Sequence, residues 1–111
     1  MTTIFAKIIR GELPCKKVFE NEHVIAFEDI APAAPVHILI VSKKPVENIQ
    51  SLEEKDFYLV SEIVRVAQIL ADRLGIAEGY RLVTNSGIEA GQTVFHLHFH
   101  LLGGRHLSSL C

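Results

Sequence analysis

The sequence predicts an α+β protein in which a mainly antiparallel sheet of five strands carries one long helix on one face. Three observations lead to this prediction. Short segments rich in β-branched residues or with alternating polarity recur between turn residues. One longer stretch has apolar residues at helical spacing. No internal repeat or low-complexity linker divides the 111 residues, so we expect one domain spanning residues 1–111.

The first predicted elements are a short helix and a hairpin. Thr3 is placed to cap a helix over residues 4–10, because its hydroxyl can accept a bond from the first turn. Residues 17–20 and 23–28 then form two strands, with a tight turn at Asn21 between them. We therefore expect the chain to begin with a helix followed by an antiparallel pair.

The later elements are a third strand, the long helix and two more strands. A proline-rich connection leads into a strand over 36–42. Ser51 and Glu54 have the spacing of a capping box at the start of the long helix. Strands over 80–85 and 94–102 complete the sheet. The apolar positions predicted to face the core from the helix are Phe57, Val60, Ile63, Val64, Ala67, Ile69, Leu70 and Leu74.

Composition argues against several classes of function. Apolar residues make up 49% of the chain and charged residues 22%, the balance of a folded globular protein. The net charge is −2 and no basic stripe is present, so we expect no nucleic-acid partner. No targeting pattern and no bilayer-length apolar run are found, so we expect no membrane association and a cytoplasmic location.

Three histidines, His96, His98 and His100, alternate with apolar residues inside the last predicted strand. Strand side chains alternate between faces, so the three rings should share one face of the sheet. Imidazole titrates near neutrality, so one ring can attack an electrophile while a neighbour donates or accepts a proton. Attack on phosphorus would form a covalent phosphoramidate on the enzyme. The apolar residues expected on the opposite face are Phe95, Leu97, Phe99 and Leu101.

Two other interpretations of this histidine row remain open at this point. His-x-His on a strand, with a third imidazole such as His37, is also a ligand set for catalytic zinc, which takes three protein ligands. The second interpretation is that the histidines are structural and hydrogen-bonded. Burying three imidazoles, however, costs free energy unless the rings serve a function. Spacing alone does not choose between nucleophile, metal ligand and structural residue.

The run His-Leu-His-Phe-His-Leu-Leu at residues 96–102 resembles the signature of the histidine triad superfamily. Further similarity to its Hint branch, the purine nucleoside phosphoramidases, lies at residues 4–14, 26–30, 35–45, 85–87, 91–92 and 103–105. The resemblance implies the histidine triad fold and a homodimer. It also implies hydrolysis of purine nucleoside 5′-phosphoramidates, and of mixed anhydrides such as aminoacyl-adenylates, without a metal or other cofactor.

The resemblance also implies catalytic roles for five residues. His98 would attack the α-phosphorus, expel the amine and become a nucleotidyl-histidine that water hydrolyses. His100 would hydrogen-bond a phosphate oxygen. His96 would support the tautomer and position of the central ring, and His37 would complete the hydrogen-bonded network. The hydroxyl of Thr93 would reach the phosphate and the leaving group.

Further residues are implied to bind the purine nucleotide substrate. Asp29 would accept hydrogen bonds from the ribose hydroxyls. Asn85 would reach the phosphate together with Thr93, and the Gly91-Gln92 turn would supply backbone donors to the developing negative charge. The apolar residues implied to clamp the purine are Ile4, Phe5, Ile8, Leu13, Phe27 and Ile30.

The chain departs from the family pattern at positions that bear on activity. Many bacterial relatives carry Cys-x-x-Cys as part of a zinc site where this chain has Thr3 and Ala6, which disfavours zinc. The family often has serine where Thr93 stands, so the hydroxyl is kept with a restricted rotamer. The alternative functions are a dinucleoside polyphosphate hydrolase and a nucleotide-binding interaction protein. The N-terminal segment and Gly-Gly-Arg at 103–105 favour the phosphoramidases.

Overall fold

The computed structural model describes residues 2–109, whose five strands form one antiparallel sheet in the order β1-β2-β3-β5-β4. Met1, Leu110 and Cys111, at the ends of the predicted domain, lie outside the described residues. The predicted α+β class is confirmed. In chain order the elements are α1 (Ile4–Ile9), β1 (Lys17–Glu20), β2 (Val24–Glu28), β3 (Val36–Ser42), α2 (Phe57–Arg73), β4 (Tyr80–Val83) and β5 (His98–Gly103).

Local sequence signals set the first elements as predicted. The Thr3 hydroxyl accepts a hydrogen bond from the backbone N–H of Ala6 at 3.1 Å, which satisfies one of the free donors of the first turn of α1. Gly11, at φ +77°, follows the helix in the left-handed conformation that glycine adopts at little cost. The side-chain oxygen of Asn21 accepts from two backbone N–H groups and so closes the turn between β1 and β2.

The long helix starts later than predicted, and the predicted capping box is wrong. Ser51 belongs to a 3₁₀ turn, Ile49–Ser51, in which Asn48 caps the backbone. Helix α2 begins only at Phe57, after a second 3₁₀ turn. The Asp56 carboxylate stands at the helix start but pairs with the Lys44 ammonium instead of capping the helix.

The buried face of α2 also differs from the predicted one. Phe57, Val64 and Leu74 were expected in the core but are 56%, 41% and 41% exposed. Apolar residues occur on more than one side of this helix, so spacing alone does not decide which stripe faces the sheet. No helix among residues 2–109 has the length and apolar composition to cross a membrane. The buried residues of α2 are Leu59, Ile63, Val66, Ala67, Leu70 and Ala71.

The sheet separates two apolar clusters. The larger cluster lies between the sheet and α2, and contains Ile38 and Ile40 of β3. The smaller cluster lies on the opposite face and contains Phe5 of α1 with Leu39 and Val41 of β3. Alternation along β3 therefore divides its residues between the two faces. The face that carries α1 is also the face on which the histidine rings lie.

The last strand begins four residues later than predicted, at His98 instead of residue 94. His96 therefore precedes the strand, and the predicted alternation does not extend back to Phe95. Leu97, Phe99 and Leu101 do pack in the larger cluster. Phe95 does not join them, because it lines a cavity together with His96 and with Ala6 of α1. β4 is also shorter than predicted, because it ends at Val83 instead of residue 85.

Candidate active site

A cavity of about 210 Å³ opens where α1, the end of β2, β3 and β5 meet, and we call it the histidine cavity. Its walls are mostly apolar, with two imidazoles, two carboxylates and one hydroxyl as the polar side chains. Nine of the fifteen predicted site residues are among those that line it. The lining residues are Ile4, Phe5, Ile8, Phe27, Glu28, Asp29, Ile30, Leu39, Thr93, Val94, His98 and His100.

Phe5 fixes α1 against the sheet beside the histidines. It is the buried residue of this short helix. Its ring packs edge-on against Phe27 and against His98, with centroid separations of 5.6 and 4.9 Å. Such edge-on packing restrains the orientation of the imidazole. One residue therefore shapes the apolar wall and holds the central histidine.

The His98 ring is buried, and a backbone carbonyl determines its tautomer. Nδ1 lies 2.7 Å from the carbonyl oxygen of His96, which can only accept a hydrogen bond, so Nδ1 carries the proton. Nε2 of the neutral ring then holds the lone pair, and it makes no hydrogen bond to residues 2–109. The Thr84 hydroxyl donates to the His98 carbonyl at 2.7 Å and steadies this part of β5. The structure thus supplies an unprotonated nitrogen at the cavity wall.

The tautomer of His100 is determined by a chain of hydrogen bonds that starts in the loop before β3. The backbone N–H of Ala33 donates to His37 Nδ1 at 3.0 Å, so the proton of neutral His37 is on Nε2. His37 Nε2 lies 2.9 Å from His100 Nδ1 and donates to it. The proton of neutral His100 is therefore on Nε2. With ring centroids 5.1 Å apart, His98 and His100 offer the cavity a lone pair and an N–H donor.

His96 lies behind the other two rings and does not line the histidine cavity. Its Nε2 donates to the Ser42 carbonyl at 2.6 Å. Its Nδ1 faces the hydroxyl of Thr3 at 3.4 Å. Through its carbonyl it also holds the proton of His98. This position allows His96 to support the central ring without touching a ligand.

Burial lowers the pKa of every ring in the histidine row. For His96 and His98 burial is the main cause, and hydrogen bonds to backbone carbonyls oppose it. The pKa of His100 falls to about 4, first through burial and then through repulsion from His98 and His37. The rings are therefore neutral at pH 7, which keeps the lone pair on His98 available.

Asp29, His37 and His100 each place one ligand atom within 4.8 Å of the others, a spacing that a metal ion can occupy. Imidazole binds a metal through a lone pair, so His37 would have to give up the proton on Nε2. Its proton would then move to Nδ1 and oppose the N–H of Ala33. The hydrogen bonding of this cluster fits a proton between the rings better than a metal.

A second, larger cavity of about 450 Å³ lies on the other side of His96 and contains neither His98 nor His100. Thr3 and Ala6, the positions compared above with the Cys-x-x-Cys of the family pattern, line it. The Thr3 hydroxyl caps α1, and a methyl group is no zinc ligand. We therefore place the candidate active site in the smaller histidine cavity. The residues that line the larger cavity are Thr3, Ala6, Pro45, Val46, Glu47, Phe95 and His96.

Asp29 stands at the edge of the histidine cavity and also stabilises the turn that follows it. One carboxylate oxygen accepts from the backbone N–H of Ala31 at 2.8 Å. The other lies 3.4 Å from His37 Nε2. The turn role and a role in ligand binding are compatible, because a carboxylate has acceptor capacity for both.

Four predicted substrate-binding residues do not line the cavity, namely Leu13, Asn85, Gly91 and Gln92. Gly91, at φ +94°, ends the 3₁₀ turn Ile88–Ala90 that leads to Thr93. Lining residues that sequence reasoning missed are Glu28, Leu39 and Val94. Alternation along β3 could have found Leu39, because it shares a face with His37. The orientation of Glu28 and Val94 depends on packing between segments that are distant in sequence.

The side chain of Gln92 is 4% exposed and is bound entirely to protein. Its Nε2 donates to the carbonyls of Glu47 and Val94, at 2.8 and 3.1 Å. Its Oε1 accepts from the backbone N–H of Gly87 at 2.8 Å and from Asn48 Nδ2 at 3.2 Å. The side chain thus ties the loop that carries Thr93 to the segment after β3.

Comparison with known proteins shows similarity along nearly the whole chain. Residues 10–107 match the HIT domain family. An uncharacterized HIT-like protein of Chlamydia trachomatis is 51% identical over 110 residues, 99% of each chain. A solved HIT family hydrolase from Clostridium thermocellum superposes with a TM-score of 0.94 at 50% identity, covering 97% of this chain and 95% of that one. A histidine triad nucleotide-binding protein from Candida albicans superposes with a TM-score of 0.82 at 31% identity, covering 99% of this chain and 86% of that one.

We expect Gln92→Glu to destabilise the protein by roughly 2–5 kcal/mol, because a carboxylate oxygen would replace the donor that faces two carbonyls. Urea unfolding measures this change. Gln50→Glu, an exposed residue, is the matched control and should change stability by less than about 0.5 kcal/mol. Unchanged stability of Gln92→Glu with a raised KM would show instead that the side chain contacts substrate.

We expect the free energy of unfolding to fall as the pH drops from about 6.5 to about 4. The pKa of His100 is about 4 in the folded protein, below the usual 6.5 of an unfolded chain, so the unfolded state binds more protons in this interval. The stabilisation is complete above pH 6.5 and lost by pH 4. His100→Gln should reduce the slope in urea titrations at several pH values. His23→Gln, on the hairpin turn, is the control, and an unchanged slope in His100→Gln would contradict the assignment.

Proposed function

Because the chain belongs to the HIT domain family, we propose that it is a nucleotide hydrolase that cleaves the P–N bond of purine nucleoside 5′-phosphoramidates. The observation that carries the proposal is the pair of opposite tautomers, a lone pair on His98 Nε2 beside an N–H on His100 Nε2. Attack on phosphorus requires the lone pair, and stabilisation of a charged phosphate oxygen requires the N–H donor. Similarity to a HIT family hydrolase and to a histidine triad nucleotide-binding protein supports it.

The proposed reaction has two displacements at the α-phosphorus. In the first, His98 Nε2 forms a bond to phosphorus, the P–N bond breaks, and the amine leaves with a proton taken from solvent water. In the second, water attacks the nucleotidyl-histidine and gives up a proton to the solvent, the bond from phosphorus to Nε2 breaks, and neutral His98 is restored. One phosphoramidate and one water thus give a nucleoside monophosphate and an amine. A covalent intermediate divides one difficult step into two.

Three polar groups would assist the displacements. The Nε2–H of His100 donates to a phosphate oxygen as negative charge develops there. His37 donates to His100 Nδ1 and so keeps the proton of His100 on Nε2. The Asp29 carboxylate lies behind His37 and favours positive charge on the His100 ring, against the repulsion from the neighbouring imidazoles. The Thr93 hydroxyl at the cavity wall donates to the leaving group or the phosphate. No ring has to change its tautomer before attack, so little reorganisation is needed.

The apolar part of the histidine cavity suits the flat face of a purine. Side chains of α1 lie on one side, and Phe27 and Leu39 of the sheet lie on the other. Ile30, at the rim, is fully exposed and would be covered by a bound base. Asp29 is next to it in sequence and can accept from the ribose hydroxyls. This arrangement supports a nucleoside monophosphate unit with its phosphorus at His98.

We also propose that the protein is a homodimer. β4 has a single neighbour in the sheet, so one of its edges is unpaired within residues 2–109. Phe57 and Val64 leave apolar surface on the outer side of α2. Two copies related by a twofold axis could pair their β4 edges and cover this surface at once.

The central test uses adenosine 5′-phosphoramidate with a denaturing quench and mass spectrometry. We expect release of AMP and an AMP adduct on the peptide that contains His98. His98→Ala should abolish the adduct and lower turnover by roughly 10³-fold or more, because the attacking nitrogen is lost. Nucleotide binding, measured by titration, should remain because the apolar walls are intact.

His23→Ala, outside the histidine cavity, is the matched control and should keep full turnover. Absence of both AMP and adduct in the wild-type protein would refute the proposal. Faster cleavage of a diadenosine polyphosphate in the same assay would instead favour the alternative hydrolase function.

The dimer is tested by analytical ultracentrifugation. We expect a dimer for the wild-type chain and a folded monomer for Val64→Asp, because a charge placed in a covered apolar contact opposes association. Ile49→Asp is the control, since this residue is similarly exposed, at 40% against 41%, but lies outside α2. A wild-type monomer at tens of micromolar would contradict the prediction.

A further inference from the structure

We infer that Arg105, outside the histidine cavity, is a positioning residue that holds His100 in its donor tautomer through the backbone of Ala33. Arg105 Nη2 donates to the Ala33 carbonyl at 2.8 Å. The N–H of Ala33 donates to His37 Nδ1 at 3.0 Å, and His37 Nε2 donates to His100 Nδ1 at 2.9 Å. A continuous chain of hydrogen bonds therefore joins the guanidinium to the cavity. Only the kinetic consequence of this inference rests on the proposed function.

Ala33 needs such an anchor because it lies in an exposed loop between β2 and β3. Asp29 fixes the start of this loop through the N–H of Ala31. Within residues 2–109, Ala33 makes no hydrogen bond to another backbone group. Its N–H and carbonyl are taken by the side chains of His37 and Arg105. The direction in which its N–H points thus depends on these two contacts.

Gly104, the residue before Arg105, allows the chain to pass close to the loop. Gly104 has φ +94°, which disfavours other residues, and a Cβ at this position would lie 2.9 Å from Pro35 Cβ. The chain after β5 can therefore pass directly against the end of the loop. Arg105 Nη1 donates to the carbonyl of His106 at 2.9 Å, which orients the guanidinium. Gly104 and Arg105 thus form a clamp on the 31–35 loop.

Loss of this clamp has a defined consequence for the rings. If the Ala33 N–H moves away, only the contacts of Nε2 with His100 and with the Asp29 carboxylate, 3.4 Å away, hold the proton of His37 there, and the Nδ1 tautomer becomes accessible. When it is on Nδ1, the lone pair on Nε2 faces His100 Nδ1, and the His100 proton moves to Nδ1 to restore a hydrogen bond. His100 then presents a lone pair to the cavity. A phosphate oxygen would lose its donor while the purine walls remain unchanged.

The inference is tested by ¹⁵N NMR of histidine-labelled protein, which distinguishes protonated from unprotonated ring nitrogens in the absence of substrate. In the wild-type protein we expect protonated Nε2 in His37 and His100. In Arg105→Ala the signals of both rings should shift toward a mixture of tautomers, while those of His98 stay unchanged. Arg105→Lys should be intermediate, because an ammonium can donate to the carbonyl but lacks the planar fork.

Arg81→Ala is the matched control. Its guanidinium also holds the C-terminal segment, through the carbonyl of Ser108 at 2.8 Å, but does not contact the 31–35 loop. It should leave the ring signals as in the wild type. Unchanged His37 and His100 signals in a folded Arg105→Ala protein would overturn the inference. The same shift in Arg81→Ala would also overturn it, because general anchoring of the tail would then be responsible.

The kinetic arm measures kcat and KM with adenosine 5′-phosphoramidate. Arg105→Ala should lower kcat roughly 5- to 30-fold, the effect of one weakened hydrogen bond in the transition state, with KM changed by less than about twofold. A change confined to KM would contradict a positioning role. Lack of turnover in the wild-type protein would refute the proposed function, while the NMR result would still decide the role of Arg105.

Discussion

Backbone groups fix the protons of His96, His98 and His37 directly, and that of His100 through His37. The rest of the site depends on this constraint. Carbonyls behind His98 and His96 can only accept, and the amide of Ala33 behind His37 can only donate. The ring type alone would permit either tautomer at each position. The fold therefore specifies which ring offers a lone pair and which offers a proton.

The pairing of β3 with β5 brings these groups together. His98 pairs with Val41, and His37 pairs with Leu102, which places His37 diagonally across from His100 on the same face of the sheet. A shift of one residue in this register would turn the rings toward α2 and the apolar residues toward the cavity. The two apolar clusters prevent this shift, because each face of the pair has its own buried partners.

Features determined by neighbouring residues could be predicted from the sequence, and features determined by distant contacts could not. The Thr3 cap and the β3 strand follow from local chemistry and were predicted correctly. The row of histidines also followed from local alternation, except that His96 precedes the strand. The start and orientation of α2 depend on the Asp56–Lys44 pair and on packing against the sheet. The buried bonds of Gln92 join segments far apart in sequence, which no motif reveals.

The two contacts of the Phe5 ring limit how the ligand preference of this protein can change. Its ring belongs to the apolar wall and at the same time packs edge-on against His98, the nucleophile of the proposed reaction. A smaller or larger residue there would reshape the space for a base and also release or tilt His98. In the proposed reaction, one side chain would therefore affect both the binding of the base and the orientation of the attacking ring. Divergence of base preference in such a scaffold should be easier at the rim, where Ile30 touches solvent, than at this shared position.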